Sequence, residues 1–151
     1  MNDPSTGTPA DDDGGSSDGS GSDDGGGRSR AVRVLVVDDN DLLRGLLSRI
    51  LRAEGFTTSE AASVEEALGL DPGAHDAIVV DVRLEGRPGT DLVAELRRTT
   101  PALVRRCLLL TGAPGLDELP PDVPMVAKPF TADQIVREVR RLLPTAATER
   151  G

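Results

Sequence analysis

Aromatic side chains are almost missing from this chain of 151 residues, which has two Phe, no Trp and no Tyr. Its core must therefore be aliphatic, and a stacking platform for nucleic-acid bases is excluded. Cysteine occurs once, at Cys107, so no internal disulfide can form and nothing points to an oxidising compartment. His75 is the sole histidine, which rules out a Cys/His zinc cage. No apolar stretch approaches the roughly 20 residues needed to cross a bilayer. The N-terminus has no basic segment followed by an apolar one, so no secretory signal is expected. Basic residues are in deficit, with 17 Lys and Arg against 26 Asp and Glu and a net charge of −9, which disfavours a nucleic-acid or membrane surface. These absences leave a soluble, acidic, cytoplasmic protein with one domain as the expectation.

Residues 1–30 hold eight Gly, six Ser and seven Asp against two Arg, with Met1 and Ala10 as the only aliphatic side chains. Such a stretch cannot bury enough apolar surface to offset its conformational entropy, so a disordered acidic tail is expected there. Its Asp runs lack the spacing of a calcium-binding loop. A domain is expected over 31–144, followed by a short C-terminal tail over 145–151.

From Ala31 onward apolar runs of strand length alternate with helical periodicity. The expected strands are Val32–Val37, Phe56–Glu60, Ala77–Asp81, Cys107–Thr111 and Val123–Ala127, the last with Pro124 near its edge. Leu42, Leu43, Leu46, Leu47, Ile50 and Leu51 recur at helical spacing, and Gly55 follows as a stop. Ser63-Val-Glu-Glu66 and Thr131-Ala-Asp-Gln134 have the form of capping boxes, and Leu92, Val93 and Leu96 mark a helix from about Thr90. Five strands and about five helices in alternation imply a parallel sheet covered on both faces, with ligands bound beyond the carboxyl ends of the strands.

Those ends carry Asp38 and Asp39, Asp81, Thr111 and Lys128, the only lysine beside sixteen arginines. Each alone has an ordinary explanation: a helix cap, a strand-end hydroxyl, a surface cation. Together they form a chemical set. Converging carboxylates repel unless a cation neutralises them, and hard oxygen ligands suit Mg2+. An ammonium is a point-charge partner for an anion, and a hydroxyl donates to one. Such a group would orient and neutralise a phosphoryl group on a carboxylate that is already ionised.

With these motifs in view, the chain resembles the receiver domain of two-component response regulators. The resemblance is carried by Val34-Leu-Val-Val-Asp-Asp-Asn40, Ala77-Ile-Val-Val-Asp-Val-Arg-Leu84, Gly89, Leu110-Thr-Gly112 and Ala127-Lys-Pro-Phe130, and covers about residues 31–143. It implies a flavodoxin-like fold with a doubly wound five-stranded parallel sheet in the order 2-1-3-4-5, the order found in chemotaxis receivers. It further implies that Asp81 accepts a phosphoryl group from a histidine kinase or phosphotransfer protein. Asp38, Asp39, Asp81 and the Arg83 backbone carbonyl would hold Mg2+. Thr111 and Lys128 would contact the phosphoryl group, and Pro129 would fix the following turn, often through a cis bond. No turnover of a foreign substrate is implied, only self-phosphorylation and autodephosphorylation at Asp81.

Two departures from the family pattern stand out. Met125 occupies the position three residues before the lysine, where the family has Tyr or Phe, and a methionine supplies neither hydroxyl nor rigid ring. Thr111 and Lys128 are only 17 positions apart, with Pro114, Pro120, Pro121 and Pro124 between them, so a shortened or broken fourth helix and a weakened or altered dimerisation surface are expected. No output domain follows the last helix, so the expectation is a stand-alone regulator signalling by protein contact to an unidentified target. A pseudo-receiver binding module that is never phosphorylated is the alternative. An aspartyl-phosphate phosphatase would need a second acid two residues after the nucleophile, where this chain has Arg83. A flavin site lacks aromatics to stack on the ring. His75 is expected at the surface, Cys107 in the core, and the arginine pairs on solvated faces.

Overall fold

A computed structural model describes residues 31–143. The expected tails over 1–30 and 145–151 lie outside the described residues. Five parallel strands, β1 (Arg33–Val37), β2 (Thr57–Ala61), β3 (Ala77–Asp81), β4 (Cys107–Thr111) and β5 (Met125–Ala127), form one sheet in the order β2-β1-β3-β4-β5. Four α-helices connect or follow them: α1 (Asp41–Ala53), α2 (Val64–Gly69), α3 (Gly89–Thr99) and α4 (Ala132–Leu142). Short 3-10 turns at Pro72–Ala74 and Pro101–Arg106 lead into β3 and β4.

Alternation along the strands divides the aliphatic core in two. Val34 and Val36 of β1 face Leu47 and Leu51 of α1 and Ile135 and Val139 of α4. Leu35 and Val37 face the other way, towards Val64 of α2 and Leu92, Val93 and Leu96 of α3. Strands β3 and β4 are buried at every residue, because helices cover both their faces. That is why these strands read as unbroken apolar runs. Edge strand β5 buries only Val126.

Local chemistry starts and stops the helices. Asn40 caps α1 by accepting from Leu43 N, and Gly55, with φ of 91°, turns the chain away after its end. Ser63 Oγ accepts from Glu66 N at the head of α2. At α4 the capping box is complete: Thr131 Oγ1 accepts from Gln134 N, and Gln134 Oε1 accepts from Thr131 N.

Three expectations change. The helix count is four, because among the described residues the whole β4–β5 connection consists of turns and bends. Four prolines remove backbone donors from that segment, so the expected fourth helix is not merely shortened. His75 is buried rather than superficial, with 1% of its surface exposed. Its ring nitrogens lie 3.0 Å from the carbonyl of Asp71, a residue in left-handed conformation, and 3.1 Å from Ser59 Oγ on β2. The ring thus fastens the 3-10 turn to the sheet. Nor are the arginines all idle: Arg97 forks onto Asp122 with two bonds of 2.9 Å, tying α3 to the β4–β5 connection. Arg140 pairs with Glu54 and lies over the Phe56 ring. Cys107 is core, as expected, and burial pushes its thiol up to about 12. No helix among the described residues is long and apolar enough to cross a membrane.

Candidate functional site at the strand ends

The carboxyl ends of β1, β3 and β4 lie side by side, since Val37 is opposite Val80 and Asp81 is opposite Leu110 in the ladders. This register brings Asp38, Asp81 and Thr111 to one edge of the sheet. Lys128 arrives from β5, where its backbone N–H donates to Thr111 O at 2.8 Å. The Lys128–Pro129 peptide bond is cis.

Asp81 is 4% exposed. Its Oδ1 accepts from Arg83 N at 3.0 Å, and its Oδ2 lies 2.5 Å from Lys128 Nζ. The strand end is held from below by Gly89, the first residue of α3. A Cβ at that glycine would lie 2.1 Å from Asp81 O and 2.9 Å from Asp81 C. Only a residue without a side chain lets the helix approach the Asp81 backbone this closely.

Asp38 is fully buried. Its Oδ1 accepts from Asn40 N at 2.9 Å, while Oδ2 has no hydrogen-bond partner. Burial pushes the Asp38 carboxyl up to about 6; the Asn40 amide opposes that rise, and the neighbouring charge of Asp81 adds to it. A buried carboxylate oxygen without a donor, beside a second carboxylate, is a costly arrangement that a hard cation would relieve. Arg44 braces the same strand end by donating to Asp38 O at 2.8 Å.

Asp39 points elsewhere. Its Oδ2 accepts from Glu85 N at 2.8 Å, pinning the β3–α3 loop. Among the described residues no three acidic, His or Cys side chains are grouped so as to hold a metal ion. The expected convergence of three carboxylates therefore reduces to Asp38 and Asp81, because the Asp39 oxygen is bonded to the loop amide. A pair still fits Mg2+, which keeps several waters and often takes only one or two carboxylates.

Thr111 is buried, and its Oγ1 accepts from Ala113 N at 3.0 Å while donating to Asp117 Oδ2 at 2.5 Å. Asp117 Oδ1 in turn accepts from Arg83 Nη2 at 2.9 Å. These two donors hold the Asp117 carboxyl below the ordinary carboxylate range, the Thr111 hydroxyl contributing most. Neither Asp117 nor the Glu85 amide was marked by the sequence. Asp117 lies in a turn-rich segment without periodicity, and a backbone amide carries no residue signature.

A doubly wound parallel sheet, with a buried aspartate at the tip of its central strand flanked by a lysine and a second buried acid, defines a flavodoxin-like domain. The family model for the response regulator receiver domain matches residues 34–118. The chain belongs to that family: it is a receiver domain of two-component response regulators. Similar proteins include the transcriptional regulatory protein TcrA of Mycobacterium tuberculosis, 36% identical over an alignment of 121 positions that covers 76% of this chain and 47% of TcrA. The chain spans at most about half the length of the curated relatives it matches. Among solved structures, the response regulator TrrA of Thermotoga maritima, in complex with Mg(2+)-BeF, is 30% identical with a TM-score of 0.65, covering 74% of this chain and 99% of that one. The chemotaxis response regulator CheY4 of Vibrio cholerae is 26% identical with a TM-score of 0.64, covering 76% of this chain and 100% of its own.

Proposed function

We propose that this domain takes a phosphoryl group onto Asp81 from a phosphohistidine on a partner kinase or phosphotransfer protein, and signals by protein contact. The observation that carries the reading is the approach of Lys128 Nζ to 2.5 Å from Asp81 Oδ2, at a carboxylate otherwise almost fully buried. In the transfer an Asp81 oxygen forms a bond to phosphorus. The bond from phosphorus to the imidazole nitrogen breaks, and its electron pair returns to the ring. No general base is needed, because the nucleophile is a carboxylate.

Asp38 and Asp81, with the Arg83 carbonyl, are the groups that would hold Mg2+, and Asp39 would join them only by releasing the Glu85 amide; TrrA's complex supports the choice of metal. When bound, the cation would neutralise the crowded anions. Lys128 then pairs with a phosphoryl oxygen, and Thr111 donates its hydroxyl to another. Loss of the phosphoryl group to water is the only turnover expected, which separates this chain from a phosphatase acting on foreign esters.

Incubating the chain with Mg2+ and acetyl phosphate should add one phosphoryl group, read by intact mass, and Asp81→Asn should abolish the gain. If the wild-type chain gains nothing where a known receiver does, the binding-module alternative replaces this reading.

A further inference from the structure

The Thr111 hydroxyl and the Arg83 guanidinium, two donors beside the acceptor, are both committed to one carboxylate six residues beyond β4. We propose that Asp117 is a positioning residue that holds the domain at rest by competing with a phosphoryl group on Asp81 for the Thr111 hydroxyl. The proposal rests on the reading that Asp81 is phosphorylated.

Thr111 has one hydroxyl proton, and it is donated to Asp117 Oδ2, the two oxygens lying 2.5 Å apart. A hydroxyl bonded to a carboxylate makes one of the stronger hydrogen bonds available to a neutral donor. To donate to a phosphoryl oxygen, Thr111 must break that bond, so the two partners exclude each other. Arg83 reinforces the resting arrangement through Nη2 at 2.9 Å and Nε at 3.3 Å, both on Asp117 Oδ1. The Arg83 backbone N–H meanwhile donates to Asp81 Oδ1, so one residue touches both the acceptor and the competitor. The Asp117 side chain is 9% exposed and Arg83 65%, so the bond from the buried Thr111 hydroxyl is the one shielded from water. The turn that presents it is closed by Leu116 N and Asp117 N, which both donate to Ala113 O at 2.9 Å. Ala113 N is itself bonded to Thr111 Oγ1. Releasing the hydroxyl therefore loosens the turn that carries Leu116, whose surface is 84% exposed. With no helix in this connection, the Asp117 bonds supply the restraint that links the site to its outer face.

Beryllofluoride with Mg2+ is the probe, titrated into the full chain and followed by amide resonances. Asp117→Ala should bind it more tightly, by about tenfold if the lost bond has the strength of one to a charged group. In a Thr111→Ala background the same substitution should change affinity less than about twofold, because the competed donor is gone. The Ala113 amide of free Asp117→Ala should lie displaced towards its beryllofluoride-bound wild-type position, a shift that general loosening would not give. Asp117→Asn, which keeps an acceptor for the hydroxyl but loses the charge, should fall between and serves if the alanine variant unfolds. Unchanged or weaker binding by both Asp117 variants, with wild type responding normally, overturns the competition alone. An equal gain with and without the Thr111 hydroxyl does the same. Failure of wild type to bind the probe and to take phosphoryl on Asp81 overturns the underlying reading as well.

Discussion

Asp38 carries the sharpest conflict at the scale of single residues. Its carboxylate is fully buried, one oxygen lacks a donor, and Asp81 stands beside it. Because the folded state raises this acid from 3.8 to about 6, it holds the proton more tightly than the unfolded chain does. The resulting destabilisation is complete above pH 6 and fades as pH falls towards 4. Asp38→Asn should therefore stabilise the metal-free protein near pH 7 by about 2–3 kcal/mol, while Mg2+ no longer raises its melting temperature. Thermal melts in EDTA and in Mg2+, at pH 7 and pH 5, check both statements, with the gain shrinking at the lower pH. Asp38, Asp81, Thr111 and Lys128 could be found in the sequence because each directly follows or ends an apolar strand run. Asp117 and His75 could not, since their partners lie across irregular turns whose geometry no periodicity encodes.

Elements succeed or fail here at their ends. The approach of α3 to β3 depends on Gly89, where a Cβ would meet backbone that cannot move aside. Gly89→Ala should cost about 2 kcal/mol or more in stability, read from urea unfolding. It should also slow phosphoryl uptake from acetyl phosphate, because the backbone it pushes is that of Asp81. The α4 capping box, the Ser63 cap of α2, the glycine stop at Gly55 and the strand runs were legible because each is a local instruction, although the second expected box is not closed: Glu66 Oε1 accepts from Ala62 N instead of Ser63 N. The β4–β5 connection was legible only in part. Prolines forecast a damaged helix, but they could not forecast that Arg97 and Arg83 would secure the segment through Asp122 and Asp117.

For the whole molecule, the 2-1-3-4-5 order follows from alternation of strands and helices plus the family likeness. The division into two aliphatic layers follows from the pleat. Its β4–β5 edge offers turns in place of a helix, and β5 buries a single side chain. Without that helix, this edge offers no rigid helical face for a tight dimer. Sedimentation velocity of the chain with and without beryllofluoride and Mg2+ should show a monomer in both cases. A tight dimer induced by the anion through this edge would contradict the expectation.

The two phenylalanines both belong to the layer beneath α1 and α4, and the aliphatic cluster beneath α2 and α3 has none. With no Trp and no Tyr in the sequence, the protein carries no indole or phenol chromophore. One indole installed at half-exposed Met125, three positions ahead of the lysine, would glow against no background and turn occupancy of the pocket into an optical signal.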